Sequence, residues 1–368
     1  MSDKPHIRSL LLEEIESQFQ IFEEPKYRIP QLLNWVYVKR AKDWEEMTNL
    51  PKSLRTKLAE TFAISTFELE TRQGSRDTTQ KFLWKLEDQQ FIESVLIPAN
   101  PSLYGEASDR HTLCVSTQVG CAYGCKFCAS GLEGYKRNLK VHEIVDQILC
   151  VERWNQTQPG QKPEDRLINN LVIMGMGEPL ANYDNLLKAL KILNAPWGGG
   201  IGARKITIST SGLAPQIRKL AEETLQFRLA ISLHGATDVV RNKIMPVNKK
   251  HPLGELALAC DYYQEKKGRM ITLEYILIAG INESLDQVNP LANLAHRLHA
   301  KVNLIPYNKV EGLPWERPTE EVQEDFLMAL EKRGVTATLR REKGHDIDAA
   351  CGQLRLKTER ALRGPIPA

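Results

Sequence analysis

The sequence predicts an α/β protein with a parallel sheet and helices packed outside it, and two observations carry that prediction. Beyond His111, short β-rich runs alternate with longer amphipathic runs six times. Each β-rich run leads into an amphipathic stretch long enough for a crossover helix, as parallel strands require. Six such units suit an open, incomplete barrel, a partial (β/α)6 arrangement, better than a closed eight-stranded one. A doubly wound sheet is the alternative.

Taken in order, residues Ile7 to Phe62 have helical periodicity, with Leu10, Leu11, Ile15 and Phe19 on one face and Asn49-Leu50-Pro51 marking a helix start. They predict a small helical domain over 1–75. Two alternating runs, Phe82 to Leu86 and Phe91 to Ile97, flank Asp88-Gln89 and predict a β-hairpin linker over 76–106. The core, 107–344, has strands predicted at Thr112–Ser116, Asn170–Met174, Lys205–Ser209, Arg228–Ser232, Ile271–Ile278 and Lys301–Ile305. Helices are predicted near Val141–Trp154, Asp184–Leu193, Ala214–Leu225, Leu253–Lys267, Leu285–His299 and Thr319–Arg333. A C-terminal segment, 345–368, follows, and Gly198-Gly199-Gly200 reads as a flexible turn.

At 368 residues, 42% hydrophobic and 26% charged, the chain has the composition of a globular protein with room for an accessory domain. A net charge of +3 is too small to name a partner. No apolar signal core opens the sequence and no stretch has the length of a membrane span, so a cytoplasmic protein with no membrane partner is expected. In a reducing compartment, seven cysteines with three crowded together read as metal ligands or redox groups.

Those three are Cys121, Cys125 and Cys128, in Cys-Ala-Tyr-Gly-Cys-Lys-Phe-Cys after the first core strand. A four-iron cubane held by three thiolates leaves one iron open to an exogenous amino-acid ligand. Structural zinc would want a fourth Cys or His, usually in a second paired spacing that is not evident here. The spacing, with Phe127 before the third cysteine, resembles the radical S-adenosylmethionine (SAM) superfamily.

Further segments resemble the RNA adenosine methyltransferases of the RlmN and Cfr type. They are Met47 to Arg55, Cys114 to Cys121, Gly175-Met-Gly-Glu-Pro179, Ser209 to Gly212, Ile231-Ser-Leu-His234, Asn303 to Pro306 and Asp346 to Leu354. The resemblance implies a [4Fe-4S] cluster on the three cysteines, with SAM held by Gly177, Glu178, Ser209, Ser232, Leu233, His234 and Asn308. It implies that Cys351 accepts a methyl group from one SAM, and that a second, cleaved by one electron, activates the S-methyl group for addition to adenine. Cys114 then resolves the thioether bridge through a transient disulfide with Cys351, and Glu93 is the candidate base for the adenine C–H proton. Cys150 and Cys260 match no motif and read as core.

The implied partners are large-subunit (23S) ribosomal RNA, transfer RNA, and an electron donor such as flavodoxin or ferredoxin. Lys136, Arg137, Lys140, Arg340, Arg341, Lys343, Arg355, Lys357, Arg360 and Arg363 bracket the chemistry as candidate phosphate contacts. The N-terminal segment favours the RlmN type, which methylates adenine C2, over Cfr-type methylation at C8. A non-catalytic RNA-binding protein with structural zinc, and a radical enzyme acting on a protein or small molecule, are the rival readings.

Overall fold

The computed structural model describes residues 4–64, 67–76, 78–98, 110–132, 134–162, 164–340 and 353–363. Cys351, Arg341 and Lys343 lie outside the described residues.

The parallel strands predicted from sequence are present as β4 (His111–Cys114), β7 (Asn170–Ile173), β8 (Ile206–Thr210), β9 (Arg228–Ser232), β10 (Thr272–Leu277) and β11 (Lys301–Pro306). Three antiparallel strands precede them, β1 (Glu68–Gly74), β2 (Gln80–Lys85) and β3 (Phe91–Pro98), and β12 (Ala337–Leu339) follows. Together they form one ten-stranded sheet in the order β1-β2-β3-β4-β7-β8-β9-β10-β11-β12. It is open, with no closed barrel. A second, two-stranded sheet pairs β5 (Gln118–Gly120) with β6 (Tyr135–Asn138) around the cysteine motif.

The hairpin is continuous with the main sheet, because β3 pairs antiparallel with β4, Val95 opposite Cys114. Strand alternation gives its two faces separate uses. Phe82, Trp84 and Ile92 enter the main core, with Phe82 edge-on to Trp154 at 5.1 Å. The opposite face presents Thr79, Val95 and Ile97 to a cavity, while Leu83 and Phe91 pack on Leu354 of the C-terminal helix Gln353–Arg363.

The N-terminal helices Leu12–Ile21, Arg28–Leu33 and Lys52–Thr61 bury Ile15, Phe19, Leu32, Leu54 and Leu58. This domain docks on helix Val141–Gln156 through polar groups. Arg8 Nη1 reaches Asp146 at 2.7 Å with both side chains buried, and its Nη2 donates to Ala41 O. His6 stacks on His142 at 4.2 Å, and burial lowers the His142 pKa to about 2. Gly198 and Gly199 form a packed turn where a flexible one was predicted. A Cβ there would stand 2.1 Å from Ile192 O or 2.5 Å from Leu193 O, and Arg166 donates to both glycine carbonyls. Among the described residues no helix is long and apolar enough to cross a membrane.

Candidate active site

Loops at the C-terminal ends of the parallel strands, with the inner face of β3, enclose a cavity of about 350 Å³. Cys121, Cys125 and Cys128 line one side, and Cys114, Gly177, Glu178, Ser209, Ser232, His234 and Asn308 line the rest. Leu233 is wholly buried in the core instead, and contributes its carbonyl as an acceptor from Arg241. Glu93 is also set back from the cavity lining. Its Oε2 lies 2.9 Å from Lys81 Nζ, and its Oε1 accepts from the backbone N–H of Arg355 at 2.6 Å.

The cysteine loop is held from both sides. Lys126 N donates to Ile244 O at 2.9 Å, and Trp315 Nε1 donates to Lys126 O. Burial pushes the Cys121 thiol up to about 12 and the Cys125 thiol higher still. Ionised together with Cys128 these thiols repel one another, and iron bound by the three sulfurs would relieve that by displacing their protons. Among the described residues no three His, Cys, Asp or Glu side chains converge on a point for a single ion. The donor set, three sulfurs facing one cavity, fits a polynuclear cluster.

The Gly175-Met-Gly-Glu-Pro179 loop packs directly on the segment leading into the cysteines. A Cβ on Gly175 would lie 2.6 Å from Val115 C and O; one on Gly177, whose φ is +98°, would lie 2.5 Å from Gln118 Cβ. Gln118 clasps the loop by accepting from Glu178 N–H at 2.8 Å while its Nε2 donates to Asn138. The Glu178 carboxylate faces inward, accepting from Ser211 N at 2.7 Å and Leu180 N at 3.0 Å. Burial raises its pKa against those two donors.

Ser209 and Ser232 end neighbouring strands with their hydroxyls 3.2 Å apart. His234 has φ +56°, and its Nδ1 accepts from Ile276 N at 3.1 Å. That bond leaves the proton on Nε2. Burial first, then Arg241, lowers the His234 pKa to about 3, so the ring is neutral, edge-on to Phe127 at 5.0 Å.

Three polar residues of the site gave no sequence signal. Arg241, completely buried, donates to Ser232 O (3.1 Å), Leu233 O (2.6 Å), Asn248 Oδ1 (2.9 Å) and Ser211 O, tying together the loops after β8 and β9. Asn282 donates to His234 O and Ile276 O and fixes the histidine peptide. Glu274 lines the cavity with a buried carboxyl that accepts from Asn303, and burial raises its pKa. All three read as ordinary surface types until tertiary packing places them.

Two candidate phosphate contacts are otherwise engaged. Arg137 is forked on Glu143 (2.7 and 2.8 Å) and bonded to Asp88 (2.6 Å); Arg355 is fully buried and paired with Glu359. Both guanidiniums are thereby already held by carboxylates in charge-assisted bonds.

Residues 7–64 match the family model described as the ribosomal RNA large subunit methyltransferase N-terminal domain, and residues 161–293 match the radical SAM superfamily. The chain is 56% identical to the probable dual-specificity RNA methyltransferase RlmN 3 of Opitutus terrae, over 97% of this chain and 96% of that protein. It is 54% identical to the probable dual-specificity RNA methyltransferase RlmN of Akkermansia muciniphila, over 92% of each. The crystal structure of a radical SAM methyltransferase from Sphaerobacter thermophilus superposes with a TM-score of 0.87 at 40% identity, covering 95% of this chain and 98% of that one.

Proposed function

The chain belongs to the RlmN family of radical SAM RNA methyltransferases, and we propose that it methylates C2 of adenosine in 23S ribosomal RNA and in transfer RNA. The observation that carries the methylation chemistry is that Cys114, a thiol beyond the three that would hold the cluster, lines the same cavity as they do. A cluster-binding loop alone would not need it. The N-terminal domain of the RlmN type favours C2 over C8.

The cluster and two SAM molecules per turnover supply, when bound, a transferable methyl group and a hydrogen-abstracting carbon radical. Gly177 lets the backbone of its loop approach the bound SAM, and neutral His234 offers an Nε2–H donor to it. Ser209, Ser232 and Asn308 add hydroxyl and amide groups on the facing wall. Cys351 takes the methyl group on sulfur; with one hydrogen removed from that methyl by the chemistry the cofactors supply, its carbon bonds to adenine C2, and the adduct gives up one electron to the same cofactors and its C2 proton to Glu93. The Cys114 thiolate then attacks the Cys351 sulfur: the S–S bond forms as the S–CH2 bond breaks, the released carbon takes a proton to complete the methyl group, and an external reductant resets the disulfide.

Chain reach supports that pairing of thiols. Glu93 lies two residues along β3 from Val95, the partner of Cys114, roughly 7 Å along the strand and about 5 Å across. The Arg355 N–H sits on Glu93, and four residues back to Cys351 span at most about 14 Å. That length of chain is compatible with the Cys114–Cys351 pairing that this reading requires. The electron enters from a flavodoxin or ferredoxin in the cytoplasm.

Mass spectrometry of nucleosides tests the proposal. Ribosomal and transfer RNA are incubated anaerobically with cluster-loaded protein, SAM and reductant, beside Cys351→Ala. 2-Methyladenosine absent from the control is the expected result; 8-methyladenosine moves the chain to C8 chemistry, and no methyladenosine from loaded protein refutes the assignment.

A further inference from the structure

Glu93 is buried, 3% exposed, on the inner face of β3, and its two oxygens are engaged separately. Oε2 pairs at 2.9 Å with Lys81 Nζ, a lysine with no exposed side-chain surface on the neighbouring strand. Oε1 accepts from Arg355 N at 2.6 Å, in the first turn of helix Gln353–Arg363. The first N–H groups of a helix have no partner within it, and a carboxylate there is favoured by the helix dipole as well. One residue earlier, Leu354 is buried against Leu83 and Phe91 of the same face. One turn later, Arg355 and Glu359 form an i,i+4 pair at 3.1 Å.

These contacts fasten the start of the last helix to the cavity-forming hairpin across 262 residues of sequence. We propose that Glu93, fixed by Lys81, is a positioning residue: it anchors the start of helix 353–363 to the hairpin that walls the cavity. Lys81 holds the carboxylate on its strand while the other oxygen takes the first-turn N–H, so the hairpin and the helix share one buried ionic contact. The anchor does not rest on Cys351 being the methyl-carrying thiol.

Amide hydrogen exchange of the intact chain, read by mass spectrometry over 353–363, tests it. A hydrogen bond to a charged group is lost in Glu93→Ala, so exchange there should rise about tenfold to a hundredfold, while helix Tyr183–Asn194 is unchanged. Glu93→Gln keeps an acceptor oxygen for the Arg355 N–H and should restore most of the protection while abolishing the base. Arg355→Pro, tolerated in a first helical turn, deletes the donated N–H and should reproduce the Glu93→Ala exchange; Arg355→Ala, which keeps that N–H, should not. Wild-type exchange over 353–363 in both Glu93→Ala and Arg355→Pro would overturn the anchor. Should the wild type protect the helix as described yet methylate no RNA, the proposed function fails and the anchor stands.

Discussion

Replacing Arg241 by methionine isolates what a single buried cation does for the site. The guanidinium has no exposed surface and serves four acceptors, the carbonyls of Ser211, Ser232 and Leu233 and the Asn248 side-chain oxygen. Burial lowers its pKa only to about 10, so it is charged at neutral pH. Each hydrogen bond to a charged group contributes about 1.5–3 kcal/mol, and the desolvation of the ion offsets a large part of their sum. The net loss expected for Arg241→Met is about 3–5 kcal/mol, the usual cost of breaking a buried charged network from one side. Lysine should recover little of it, because a point charge cannot fork across three carbonyls. Locally, the loops carrying Ser209, Ser211, Ser232 and His234 lose their common tie, so SAM affinity should fall at least about tenfold. Urea denaturation and calorimetric titration of cluster-loaded protein with SAM measure the two effects. A variant within about 1 kcal/mol of wild type and with unchanged SAM affinity would falsify this account of Arg241.

Other perturbations have equally definite outcomes. Gly177→Ala combines φ +98° with a Cβ 2.5 Å from that of Gln118, and should cost about 2–4 kcal/mol; Gly202→Ala, with no atom within 4 Å, should leave the thermal midpoint unchanged or slightly raised. His234 and His142 are held neutral at about 3 and about 2, below the ordinary 6.5. Below pH 6.5 the unfolded chain therefore binds protons that the folded one refuses, and stability falls with pH by about 1.4 kcal/mol per unit for each. Urea denaturation should show a loss of about 3 kcal/mol between pH 6.5 and 5, since the full slope is reached only below the unfolded pKa, and roughly half of that in His142→Phe. Arg8→Met leaves the Asp146 charge buried and should cost about 3–5 kcal/mol, seen as faster proteolysis of the N-terminal domain; adding Asp146→Leu should return most of it.

The parallel strands were legible because short β-rich runs alternate with longer amphipathic ones, the pattern that crossover connections impose. β1 was not. Glu68 to Gly74 is almost wholly solvent-facing, an edge strand whose charges carry no periodicity, and β12 is only Ala337–Leu339. The family resemblance put Cys121, Cys125, Cys128 and the glycine loop in one site, and their places after successive strands agree with that, since strand ends gather on one rim. Sequence pattern could not show that the hairpin forms a wall of that site, because the joining of β3 to β4 is a pairing and pairings leave little trace in single-strand composition. Arg241, Asn282 and Lys81 were missed for a related reason. A buried polar side chain is recognised by the acceptors around it, and those come from distant segments. Leu233 shows the converse, a motif position whose backbone rather than its side chain is used.

The strand order of the large sheet has a kinetic consequence. Its strands follow one another in chain order, with only the β5–β6 hairpin set aside. A sheet of that kind can be laid down from one edge as the polypeptide emerges, each strand templated on its predecessor without waiting for a distant partner. The exception is the last helix, which returns across almost the whole chain to β2 and β3, among the earliest strands made. The helix that follows Cys351 therefore docks on strands made long before it, the most non-local contact of the fold.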